Sequence, residues 1–77
     1  IMDSVGWGYY RAGRSAESLR MLRRAFETNP DPEIAAHLGE VLWVSGVQDE
    51  AKKIWQGSLE KHPDNAYLQT TIKRFLP

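Results

Sequence analysis

Apolar side chains recur along this chain at three- and four-residue intervals, interrupted at regular distances by glycine or proline, a pattern that predicts helices joined by short turns. Met2, Val5, Tyr9 and Ala12 form the first stripe. Gly13 closes it, because glycine adopts the left-handed conformation that ends a helix at low steric cost. Ser15 is placed to cap a second helix carrying Leu19, Leu22, Ala25 and Phe26, and Asn29-Pro30-Asp31 stops it. Asp31-Pro32 is a strong start signal: the aspartate accepts from free backbone N–H groups, and proline at the first helical position forfeits no hydrogen bond. Ile34, Leu38, Val41 and Leu42 then share one face up to Gly46, and Asp49 to Lys61 supplies a partner helix through Ala51, Ile54, Trp55 and Leu59. Asp64 or Asn65 opens a last helix with Leu68, Ile72, Phe75 and Leu76. Five helices in antiparallel pairs are expected, and no strands, because no period-two alternation is sustained.

The punctuation itself repeats. Gly6 recurs as Gly39, Gly13 as Gly46, Phe26 as Leu59 and Pro30 as Pro63, each at a spacing of 33 residues. A glycine inside a helix costs about 1 kcal/mol against alanine, so its presence at one register in two successive units predicts close helix approach. Ser18 and Ala51, small and also 33 apart, are expected on the opposite side of that contact, with Val5 and Leu22, and Leu38 and Trp55, filling the space around it. Stacked helix-turn-helix units of this kind usually hold another protein.

Composition narrows the classes. Ten basic side chains balance ten acidic ones, so no overall field draws in nucleic acid or an anionic membrane surface. The charges are uneven: Arg11, Arg14, Arg20, Arg23 and Arg24 crowd the first unit, and Asp31, Glu33, Glu40, Asp49, Glu50 and Glu60 mark the second, which reads as two solvated faces of opposite sign. The absence of cysteine excludes disulfides, thiolate metal sites and thiol nucleophiles. No apolar run approaches the roughly 20 residues that span a bilayer. The chain opens on Ile1 inside an apolar pattern, as expected of a piece of a longer protein.

Candidate chemistry is sparse. His37 falls four residues after Glu33 and three before Glu40, a spacing that puts all three on one helix face and would suit a metal such as zinc. A single histidine between two helix-surface glutamates reads instead as solvated or ion-paired. His62-Pro63-Asp64 matches the tripeptide of J-domain co-chaperones, yet the repeat register already accounts for Pro63 as the counterpart of Pro30. No serine sits on a glycine-flanked nucleophile turn, and the glycines at 6, 8 and 13 lack the strand-then-helix setting of a phosphate loop. Neither enzyme activity nor a cofactor is expected.

Met2, Val5-Gly6, Tyr9, Ser18, Leu22, Ala25 and Pro30, followed by Leu38-Gly39, Leu42, Ala51, Trp55 and Pro63, resemble the tetratricopeptide repeat pattern. The resemblance implies an all-α, right-handed superhelical stack: one domain over 1–77, with repeat one at 1–30, repeat two at 31–63 and a capping helix at 64–77. Departures are Met2 and Ala35 where the family carries its leading tryptophan, Ser58 in place of the usual alanine, and a period one residue short of the common one; they bear on the tilt between repeats. The segments Asp3 to Trp7 and Asp31 to Trp43, with Asp49-Glu50-Ala51, further resemble the C-terminal repeats of large bacterial lipoproteins of this family. That implies a scaffold or adaptor in the periplasm, anchored at the outer membrane, with a protease as one type of partner.

In such a solenoid the first helix of each pair lines a concave groove that takes a peptide or partner protein. The residues expected there are Asp3, Trp7, Tyr10 and Arg11 from the first repeat, Glu33, Ala36, His37, Glu40, Trp43 and Val44 from the second, and Tyr67, Thr70 and Arg74 from the terminal helix. Trp7, Tyr10 and Trp43 would supply aromatic anchors of the kind enriched at binding hot spots. The alternative is structural: the chain caps a longer solenoid, the tryptophans pack between repeats, and the binding surface lies elsewhere.

Overall fold

In a computed structural model, which describes residues 15–76, four α-helices follow one another: α1 Ser15–Thr28, α2 Pro32–Val44, α3 Gln48–Lys61 and α4 Ala66–Phe75. No strand occurs among the described residues. The helix expected over Met2 to Ala12 lies outside them, as do Gly6 and Gly13, so the count of five helices and the first repeat's own pairing are not described by this structure.

Each boundary has a local cause. The Asp31 Oδ1 accepts from the Glu33 N–H at 2.8 Å and Pro32 begins α2, the cap the sequence predicts. At the far end of α2, Gly46 has φ +91°, its N–H donates to the Trp43 carbonyl at 3.1 Å, and the Val47 N–H donates to Leu42 at 2.9 Å. These are the paired bonds of a Schellman ending, in which the left-handed residue favours glycine. Val47 is thereby committed to closing α2 and offers no side-chain cap to α3, which starts one residue earlier than expected, at Gln48. Asp49 and Glu50 in its first turn place negative charge against the free N–H groups instead. Of the two residues that could open the last helix, Asn65 is the cap: its Oδ1 accepts from the Leu68 N–H at 2.9 Å.

Helix α2 is the centre of the packing. Residues 34 to 42 are all buried, and α2 packs against α1, α3 and α4. A helix covered on every side should be apolar all round, and Ile34, Ala35, Ala36, Leu38, Val41 and Leu42 meet that demand. Leu22 of α1, Ala51 and Trp55 of α3 and Leu68 of α4 complete the core. Gly39 is the point of close approach, as its recurrence predicts, but Trp55 rather than Ala51 is its nearest neighbour. A Cβ built on Gly39 would stand 2.6 Å from Trp55 Cδ1 and nearer still to two other indole atoms. The indole is thus seated where a side chain would be, with its Nε1 directed at the Ala36 carbonyl 3.5 Å away.

Candidate functional site

Helices α2 and α4 lie side by side, and the contacts between them advance together: His37 meets Tyr67, Glu40 meets Arg74 and Trp43 meets Phe75. The two helices therefore run in the same direction and form one continuous surface.

Two polar bridges join them. His37 Nε2 and the Tyr67 hydroxyl are 2.7 Å apart, with the rings edge to face at 5.5 Å between centroids. One turn further along α2, Arg74 Nη2 donates to Glu40 Oε1 at 2.9 Å. The Glu40 side chain is 10% exposed and the Arg74 side chain 57%. A buried carboxylate needs a charged or hydrogen-bonded partner to offset its lost hydration, and Arg74 supplies it while keeping most of its guanidinium in water. Tyr67, 45% exposed, likewise shows one side to solvent while its hydroxyl is engaged. A shallow groove of about 390 Å³ runs along the α4 side of this face, lined by Ala66, Tyr67, Thr70, Thr71 and Arg74, all from α4.

Of the residues expected at a binding groove, His37, Glu40, Tyr67 and Arg74 come together here. Val44 is half exposed at the end of α2, and Thr70 and Glu33 are exposed. Ala36 is placed differently, and Trp43 keeps the partial exposure expected of it while packing on its other side. Ala36 is fully buried, with its carbonyl facing Trp55, because α2 turns this residue toward α3. Trp43 is half-buried: it stacks on Trp55 at 5.8 Å and lies 5.9 Å from the Phe75 ring, and Trp55 and Phe75 stack at 5.6 Å. Asp3, Trp7, Tyr10 and Arg11 lie outside the described residues.

The metal geometry does not form. His37 and Glu40 are engaged with α4 while Glu33 is exposed, and no group of three His, Asp or Glu side chains suited to a metal occurs among the described residues. Nor is any described helix long and apolar enough to cross a membrane. Charge pairing across helices was missed by the sequence reading. Arg23 of α1 and Glu50 of α3, assigned there to separate solvated faces, form a bidentate pair whose second bond, Arg23 Nη2 to Glu50 Oε1, is 3.0 Å. The Arg23 guanidinium holds the Glu50 carboxyl below its ordinary range through that hydrogen bond, and Glu50 raises Arg23 in turn.

A run of short-turned helices with an intrahelical glycine seating the tryptophan of the next helix is a helical-repeat architecture. No family model matches the chain. It is 55% identical over 40 residues to a TPR repeat-containing protein of Pseudomonas aeruginosa, a match that takes in 52% of this chain and 7% of that protein. That identity supports assignment of the chain to the tetratricopeptide repeat family.

Proposed function

We propose that the chain captures a peptide or partner protein on the face built by α2 and α4, serving as a scaffold or adaptor. The observation that carries this is the pairing of His37 with Tyr67 and of Glu40 with Arg74, which holds two amphipathic or charged side chains in place while leaving each accessible from outside. Side chains already ordered before binding lose little further freedom on complex formation, so more of their contact energy appears as affinity. Tyrosine and arginine are also enriched among residues that dominate interface energetics. The role is reversible binding, without a reaction or a cofactor.

A second reading is favoured by Trp43. Its place against Trp55 and Phe75 is that of a residue packing the last helix onto the repeat, which is what a terminal cap of a longer solenoid requires. Capping by the α3 and α4 contacts and binding by the α2 and α4 surface are compatible. An address in the Gram-negative envelope belongs to the same proposal and rests on the sequence resemblance alone.

Thr70 is exposed at the middle of the surface and takes part in neither bridge, so Thr70→Arg adds bulk and charge without breaking them. Thr70→Arg should weaken partner binding by about tenfold or more, measured by co-purification and titration, whereas Gln56→Arg on α3 leaves it unchanged. Equal loss in both, or loss in neither, would refute the assignment of this face.

A further inference from the structure

Away from the α2 and α4 surface, α1 and α3 make no close backbone approach to each other; what joins them is the Arg23–Glu50 pair, two long side chains reaching across a gap. One turn beyond that pair on each helix the gap opens into a slot of about 280 Å³. Phe26 of α1 and Pro30 of the turn that follows it form one wall, Ile54 and Gly57 of α3 the other, and the lining is mainly apolar. Gly57 is the mouth: a Cβ placed there would touch nothing within 4 Å. Phe26 and Ile54 are half-buried, so apolar surface remains in contact with water. Lys53 and Lys61 stand on the rim with Glu60, and neither lysine is within 4 Å of an acidic partner among the described residues; the Glu50 carboxylate nearer Lys53 is taken by Arg23, which leaves the rim with one net positive charge.

Sites for whole small molecules usually enclose roughly 300–1,000 Å³. This slot lies at the lower edge of that range, a size that suits one large side chain. We infer that the slot between α1 and α3 is a second protein contact, accepting a phenylalanine-type side chain of a partner segment whose neighbouring residues are acidic. The ring would displace water from Phe26, Pro30 and Ile54, and the flanking carboxylates would meet Lys53 and Lys61 at the rim. Burial of the ring provides affinity and the rim charges provide selection. This contact stands independently of the α2 and α4 face.

The test is a ¹H–¹⁵N NMR titration of the 77-residue chain with two blocked tripeptides, a phenylalanine flanked by glutamates and a phenylalanine flanked by lysines. The acidic peptide should shift the amides of Ile54 and Gly57 in a saturable manner and leave Tyr67 unmoved. The basic peptide should bind at least about fivefold more weakly, since two favourable rim contacts become repulsive. Gly57→Leu sets a side chain across the mouth of the slot and improves helix propensity at an open, exposed position, so it should keep the fold and abolish the shifts. Lys53→Glu with Lys61→Glu should reverse the preference. Equal response to both peptides, shifts centred on Tyr67, no shifts, or shifts that survive Gly57→Leu would each overturn the inference.

Discussion

The two described helical glycines that interrupt α2 and α3 differ in a way that isolates the packing at Gly39. Replacing either with alanine gains about 1 kcal/mol of helix propensity, because the same backbone entropy is recovered at each. At Gly57 nothing opposes that gain, since the added Cβ meets no atom within 4 Å. At Gly39 the added Cβ overlaps the Trp55 indole. The ring cannot swing aside cheaply: it is 1% exposed, and Trp43 and Phe75 stack against it at 5.8 and 5.6 Å. Overpacking a well-filled core costs about 1–3 kcal/mol, and displacement of a wedged aromatic belongs at about 3. Gly39→Ala should therefore lose about 2 kcal/mol net, roughly 8–16 °C in Tm for a domain this small, while Gly57→Ala gains about 1 kcal/mol. Gly39→Val carries two further methyls into the same space and should cost more than Gly39→Ala. Urea melts followed by far-UV circular dichroism and tryptophan fluorescence measure both. A Gly39→Ala protein as stable as Gly57→Ala would show that the close approach of α2 and α3 does not depend on the missing Cβ.

Three further outcomes follow from the polar contacts and the α2 ending. Arg74→Ala leaves the Glu40 carboxylate buried without its charged donor and should cost about 1–3 kcal/mol, most of it recovered in the Arg74→Ala, Glu40→Gln double variant by chemical denaturation. Glu50 has its folded pKa depressed by Arg23, so its contribution is present above the unfolded carboxylate value and is lost as pH falls through the folded one. Being a surface pair it is worth about 0–1 kcal/mol; Glu50→Gln should lower stability at neutral pH by that amount, have no effect at low pH, and show a smaller difference in high salt. Gly46→Ala places a Cβ in the left-handed region with open space around it, so the loss, about 1–2 kcal/mol, should be wholly conformational, and Gly46→Asn should lose less.

Much of this fold is local in origin and was legible for that reason. Asp31-Pro32, Gly46 and Asn65 act within a few residues of themselves, and each does in the structure what its chemistry predicts. The recurrence of glycine at 33 residues announced a tight crossing, but the side chain opposite it is chosen by how α3 rotates against α2, which brings Trp55 rather than Ala51 to the gap. The same non-local placement explains Trp43. Its phase along α2 is that of Ala36 and Glu40, residues the sequence places at the groove, and its packing is set by Phe75 arriving from α4 and Trp55 from α3. His37 and Glu40 read as surface residues because polar side chains usually are; their partners, Tyr67 and Arg74, lie 30 and 34 residues away. Arg23 and Glu50, 27 residues apart, were invisible as a pair for the same reason.

Whether a separate polypeptide is held on the surface of α2 and α4 is tested most directly by a photo-reactive amino acid placed in the protein at position 70 in one sample and at position 56 in another, in the cell of origin, since Thr70 and Gln56 are both exposed and lie on α4 and α3 respectively. Position 70 should give adducts with another protein, and position 56 should not give the same adducts. Adducts from position 70 confined to the protein's own chain, or partner adducts of equal yield from both positions, would refute binding on this surface.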